Sequence, residues 1–131
     1  PEVLFLDLPQ NLGMTRAFNQ GLQQAKGDFI IDLAGDDLLL PQRIEKQVNA
    51  FQKLDKSWGV VYSDAWLIDE HSQKKGPFYA RNPDGSLKKP VPSGDVYEKL
   101  LKNYGLCSPT MMSRREVYEA LGGYDETLSY E

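Results

Sequence analysis

Two short apolar runs, residues 3–8 (VLFLDL) and 29–33 (FIIDL), flank a segment whose apolar residues recur at helical spacing, and this pattern narrows the possible folds more than any other. Met14, Ala17, Phe18, Leu22 and Ala25 fall at i, i+3, i+4, i+8 and i+11, which predicts a helix from about residue 14 to 26. The turn-rich stretch 9–13 leads into it, and Gly27 stands where a left-handed C-cap is wanted. The flanking runs are too short for helices and rich in β-formers. Strand, helix and strand within about 30 residues make a βαβ unit, normally right-handed and with parallel strands. The fold class is therefore α/β, Rossmann-like, with a mainly parallel sheet and flanking helices.

The second run continues as FIIDLAGDDLLLP over residues 29–41, so two aspartates arrive where the strand ends. Open α/β sheets bind ligands beyond the carboxyl ends of their strands, which makes Asp36 and Asp37 a site candidate. Neighbouring side chains in an extended segment point to opposite sides. Packed together without a cation, the two carboxylates repel, and one tends to take up a proton. A divalent ion removes that conflict, and hard oxygen ligands suit Mg²⁺ or Mn²⁺. A second reading is structural: aspartate caps helices and proline opens them, so the pair could serve the helix that Pro41 begins.

That helix carries Ile44, Val48 and Phe51 at helical spacing to about Leu54, with Gln42, Arg43, Glu45, Lys46 and Gln47 read as its wet face. Residues 59–63 make a third strand ending at Asp64, and 65–68 extend it into a hairpin that turns at 69–75 and returns through Pro77, Phe78 and Tyr79. The stretch 81–94 holds three prolines and two glycines without an apolar period, and reads as a mobile surface loop. A helix starts at Ser93-Gly94-Asp95 with Val96, Tyr97, Leu100, Leu101 and Tyr104 on one side. Residues 107–113 read as a strand weakened by Pro109, and 114–121 as a short helix that buries Val117 and Leu121 and stops at Gly122-Gly123.

At 131 residues and 40% hydrophobic content, the chain is the size of one domain with a real core. A net charge of -4 gives no basic footprint for a phosphate backbone, so nucleic acid is excluded as the main partner. No apolar run approaches the roughly 18 to 20 residues that cross a bilayer, and the first residues lack a signal peptide's basic start. A soluble, cytoplasmic piece is expected. Cys107, the single cysteine, reads as an inert core thiol, and His71, the single histidine, as a turn residue, which leaves a Ser-His-Asp triad without support.

In this order, the motifs resemble the family-2 glycosyltransferases, nucleotide-sugar enzymes with the A-type glycosyltransferase fold. The matching pieces are Asn11-Leu12-Gly13 with Ala17-Phe18-Asn19-Gln20-Gly21, then Ala25-Lys26-Gly27-Asp28-Phe29-Ile30, then Gly35-Asp36-Asp37 with Pro41, then Val60-Val61-Tyr62-Ser63-Asp64. Arg114-Arg115-Glu116-Val117 follows, leading into Gly122-Gly123-Tyr124-Asp125-Glu126 and Glu131. The resemblance covers nearly the whole chain, but only the middle of the family's catalytic domain. It implies that residues 1–131 are a single domain cut from a larger catalytic domain, lacking the N-terminal nucleotide-binding part and the C-terminal end.

The resemblance further implies sugar transfer from a nucleotide-diphosphate sugar to a hydroxyl of a glycan or lipid-linked acceptor, metal-dependent and inverting. Asp36 and Asp37 would hold Mg²⁺ or Mn²⁺. Ala34 stands where the family often has the first acid of an Asp-x-Asp-Asp motif, so the division of ligand duty between the two stays open. Asn11, Gly13, Arg16, Asn19, Asp36 and Asp64 match positions near the nucleotide-sugar. Glu131 would help to position the acceptor or the base, and the base itself would come just after it, so the chain alone is expected to be inactive. Membrane association of the parent, peripheral at the inner face, is left open. Two alternatives stand beside this one: a Mg²⁺-dependent nucleotidyltransferase, and a degenerate domain that binds a partner without turnover.

Overall fold

The structure, a computed structural model, describes residues 3–128. Its elements in chain order are α1 (Met14–Gln24), β1 (Phe29–Ile30), α2 (Arg43–Phe51), β2 (Val60–Val61), β3 (Trp66–Ile68), β4 (Lys74–Pro77), α3 (Tyr97–Lys102), a 3-10 turn (Ser108–Thr110), β5 (Met112–Arg114) and α4 (Arg115–Leu121). The α/β class stands. α1 and β1 follow the predicted helix-to-strand succession, and β3 and β4 form the predicted hairpin, with Trp66 opposite Pro77.

The sheet differs from the mainly parallel one expected. Its order is β1-β5-β2, and both pairings are antiparallel: Phe29 faces Arg114, and Val61 faces Met112. β1 and β2 run in the same direction, but β5 lies between them, so neither is a parallel neighbour of the other. Residues 3–8, the other half of the expected βαβ unit, form no strand among the described residues, and Val3 and Phe5 are 92% and 82% exposed.

The core gathers where β5 crosses α2. Phe51 and Met112 are fully buried, with Leu106 and Cys107 beside them. Phe29 stacks on Phe51 at 4.7 Å between centroids. The Arg114 guanidinium lies 4.7 Å from the Phe51 centroid, and its Nε donates to Trp58 O at 2.9 Å. The charge is thus carried on an aromatic face and tied to a carbonyl.

Four local expectations change, one of them on α4, where Leu121, expected to be buried, is 74% exposed. On α2, Ile44 is 52% exposed, while Gln47, assigned to the wet face, is buried beside Phe51. On α3, Tyr97 and Leu101 are both exposed. The 81–94 stretch is organised at its start, since Asn82 N donates to Ser86 O at 2.8 Å and Gly85 N to Asn82 O at 2.9 Å. Gly85 sits at φ +84°, the left-handed conformation such a turn needs. His71 lies in the hairpin turn as predicted, where Asp69 accepts its N–H at 3.0 Å. At the other end of the chain, α4 ends at Gly122, which is in the left-handed region as the C-cap.

Candidate functional site

The two aspartates sit on an open turn after β1. Asp37 N donates to Ala34 O at 3.2 Å, which closes a turn over Gly35 and Asp36. Asp36 is exposed and Asp37 half-buried. Neither caps a helix: α2 starts at Arg43 after Gln42 and makes no side-chain cap bond. The structural reading of the pair as a helix cap therefore falls, and both carboxylates are left free of that duty.

Asp64 lies three residues beyond β2, and both of its oxygens accept hydrogen bonds. Its Oδ1 accepts from Ala65 N at 2.9 Å and Tyr79 N at 3.1 Å, while Oδ2 pairs with Arg81 at 2.6 Å. Burial alone would raise its pKa, but the Arg81 bond and the two backbone donors outweigh that and hold it below the ordinary carboxylate value. Asp64 thus pins both the base of the hairpin and the start of the 81–94 stretch.

Cys107 is 4% exposed. Burial pushes its thiol pKa up, a Thr110 hydrogen bond opposes this, and the charges of Asp64 and Asp37 raise it further. The thiol stays protonated and inert, as the sequence suggested. Arg43 is held below its ordinary value by burial, which the charge of Asp37 opposes.

The remaining candidates gather along α1. Asn11 Oδ1 accepts Gly13 N at 2.9 Å, and Gly13, at φ +79°, is the N-cap position of α1. No side chain caps that helix, so its first N–H groups are open to an anion. Arg16 Nε lies 3.6 Å from Glu126 Oε2. Asn19 is 8% exposed; its Nδ2 donates to Tyr124 O at 2.9 Å and Glu126 Oε1 at 3.0 Å, and its Oδ1 accepts Tyr124 N at 2.9 Å. Asn19 is therefore turned inward, off the solvent-facing side of α1. Glu131 lies outside the described residues.

The candidates thus fall into two groups, the carboxylates of the turn after β1 and of Asp64, and Arg16 and Asn19 about Glu126. Among the described residues no hydrogen bond or ion pair joins the groups, and no three His, Cys, Asp or Glu side chains cluster as a metal cage. Arg43 and Gln47, which the sequence reading left on the surface, connect the elements that carry the first group. Their one visible signal was i, i+4 spacing of two long polar side chains on an amphipathic helix.

The family model for glycosyl transferase family 2 matches residues 1–122, and the chain belongs to that family. It is 31% identical over 121 residues to an uncharacterized glycosyltransferase of Rickettsia typhi, covering 92% of this chain and 36% of that protein. It is 32% identical to the amylovoran biosynthesis glycosyltransferase AmsE of Erwinia amylovora, over 98% of this chain and 44% of AmsE. An uncharacterized glycosyltransferase of Methanocaldococcus jannaschii is 26% identical over 96% of this chain and 40% of its own length. The chain spans less than half the length of each of these relatives. No helix among the described residues is long and apolar enough to cross a membrane.

Proposed function

We propose that the full-length protein transfers a sugar, with inversion, from a nucleotide-diphosphate sugar to a hydroxyl of a glycan or lipid-linked acceptor, and that this chain carries the diphosphate-binding part of the centre. The observation that carries this reading is the Asp36-Asp37 turn, exposed and unused as a cap in a family-2 chain.

The donor set fits a divalent ion, because Mg²⁺ is commonly held by one or two carboxylates while substrate phosphates and water complete the shell. Asp36 and Asp37 would hold it. When bound, the ion supplies positive charge against the departing diphosphate. The open N–H groups at the start of α1, shaped by Asn11 and Gly13, bind phosphate or nucleotide oxygens. Arg16 and Asn19 serve the same end of the cleft by holding Glu126 and its neighbours in place. Asp64 presents its carboxylate beside the donor sugar. The acceptor oxygen bonds to the anomeric carbon as the bond from that carbon to the diphosphate oxygen breaks. The hydroxyl proton passes to a general base just beyond Glu131, which orients the base or the acceptor. The 131-residue chain alone would then be inactive.

In this reading, residues 1–131 are one part of a larger domain. Its support is an open groove of about 450 Å³ along β1, lined by Phe18, Leu22, Ile31 and Leu33 among others, together with the exposed Val3 and Phe5. Strands from outside the chain would cover these surfaces and extend the sheet in parallel.

The test is nucleoside-diphosphate release by the full-length protein from a panel of nucleotide sugars, with Mn²⁺ and with a chelator. Release with one donor that requires the ion is expected. Pyrophosphate release would instead indicate nucleotidyl transfer, and donor binding without turnover a non-catalytic domain.

A further inference from the structure

The inward face of α2 carries a glutamine where an amphipathic helix normally places an apolar residue. Gln47 is 4% exposed and its amide is fully used: Oε1 accepts from Arg43 Nε at 3.0 Å, and Nε2 donates to Thr110 O at 2.7 Å and Val61 O at 3.3 Å. Arg43 reaches Met111 O at 3.3 Å from the same helix face. Thr110, 6% exposed, carries the connection onward. Its Oγ1 accepts Ser63 N at 3.1 Å, and its proton is shared between Ser63 O at 2.8 Å and Cys107 O at 2.7 Å.

These bonds tie α2 to the segment that runs from β2 to Ser63. The Asp36-Asp37 turn is joined to α2 by residues 38–42, which include a second turn closed by Arg43 N on Leu40 O at 3.0 Å. Ser63 immediately precedes Asp64. The strand between them offers little rigidity of its own, because β2 is two residues long and pairs only with β5 among the described residues. A buried polar network in which every group is satisfied rigidifies and selects one geometry, whereas apolar packing would fill the space without fixing it.

We propose that Gln47 and Thr110 are positioning residues that fix the separation between the Asp36-Asp37 turn and Asp64. What that separation serves rests on the proposed sugar transfer; the separation itself is measurable without turnover.

The experiment places spin labels at Leu38→Cys and Leu67→Cys, exposed by 68% and 50%, in the full-length protein and reads their distance by double electron-electron resonance. Buried Cys107 stays unlabelled. A single narrow distribution is expected for the labelled parent and for Thr110→Ser, which keeps the hydroxyl. Thr110→Val and Gln47→Met should broaden it. An unchanged narrow distribution in both of those variants overturns the proposal.

Turnover gives the second arm. Thr110→Val should lower kcat on the order of tenfold or more, as small misplacements of reacting groups do, with Thr110→Ser close to the parent. Val117→Ala, which thins the packing against Gly59 elsewhere, should lower Tm without that loss. An equal kcat loss in Val117→Ala at matched Tm counts against positioning. If the labels respond as expected but the parent releases no nucleoside diphosphate from any donor, the sugar-transfer reading falls and the positioning stands. If the parent turns over and the labels do not respond, the positioning falls alone.

Discussion

Asn19 Oδ1 lies 2.5 Å from the point where a Cβ on Gly123 would stand. The glycine has φ +86°, so a side chain there meets both backbone strain and the amide of Asn19. The contact is close because Asn19 grips the next residue by both backbone polar groups, Tyr124 N and O, each at 2.9 Å. The Phe18 and Tyr124 rings, 4.5 Å apart, pack beside that grip.

Gly123→Ala should therefore destabilise the full-length protein more than Gly122→Ala. Gly122, at φ +75°, has nothing within 4 Å of the point where a methyl group would stand, so its substitution costs about 1 kcal/mol for backbone strain alone. Gly123→Ala adds the displacement of Asn19, with hydrogen bonds worth about 1 kcal/mol each. Urea unfolding of the two variants side by side reads the difference, and equal losses would contradict the contact.

On the proposed function, Asp37→Asn should cut sugar transfer by about a hundredfold or more, because a proposed ligand of the divalent ion that would oppose the leaving diphosphate's charge is removed. Asp36→Asn, measured in parallel under initial-rate conditions, divides the ligand duty between the two. Near-parental activity in both variants would sink the metal-site assignment.

Asp64 supplies a pH dependence of stability. Its folded pKa lies below the ordinary 3.8, so its stabilising effect is full above that value and is lost as pH falls through the folded pKa. Acid unfolding should show the parent protein's advantage over Asp64→Asn shrinking only below about pH 4. An advantage that persisted unchanged down to about pH 2 would separate Asp64 from the Arg81 ion pair.

Cys107 should resist thiol reagents in the folded protein and react at an ordinary rate in denaturant. Burial and the neighbouring carboxylates both disfavour the thiolate, which is the reactive form. Rapid labelling under native conditions would contradict the burial of the thiol.

Much of the order of elements was legible in the chain because hydrophobic period and turn residues mark it locally. α1, the β3–β4 hairpin and the stop at Gly122 all carry such marks. What escaped was the inward turn of Asn19 and Gln47. An amide enters a core only when its partners are already in place, and those partners, Tyr124 and Glu126 for one and Thr110 and Val61 for the other, are remote in sequence. Sheet pairing escaped for a related reason. The run at 29–33 shows that a strand forms, but nothing near it says that residues 112–114 will lie alongside. Of the candidate site, the aspartate turn was visible, whereas the ties that link α2 to Ser63 were not.

The place of β5 has a consequence for when this sheet can form. β1 and β2 leave the ribosome before β5, yet among the described residues each pairs with β5 and neither with the other. Phe29 and Val60 must wait for Arg114 and Ser113 to be synthesised before either gains its ladder bonds. Until then both apolar segments lack their β5 partner, a state more open to chaperone binding and to aggregation. Synthesis time, more than local propensity, sets the earliest moment at which the aspartate turn and Asp64 can be brought into register.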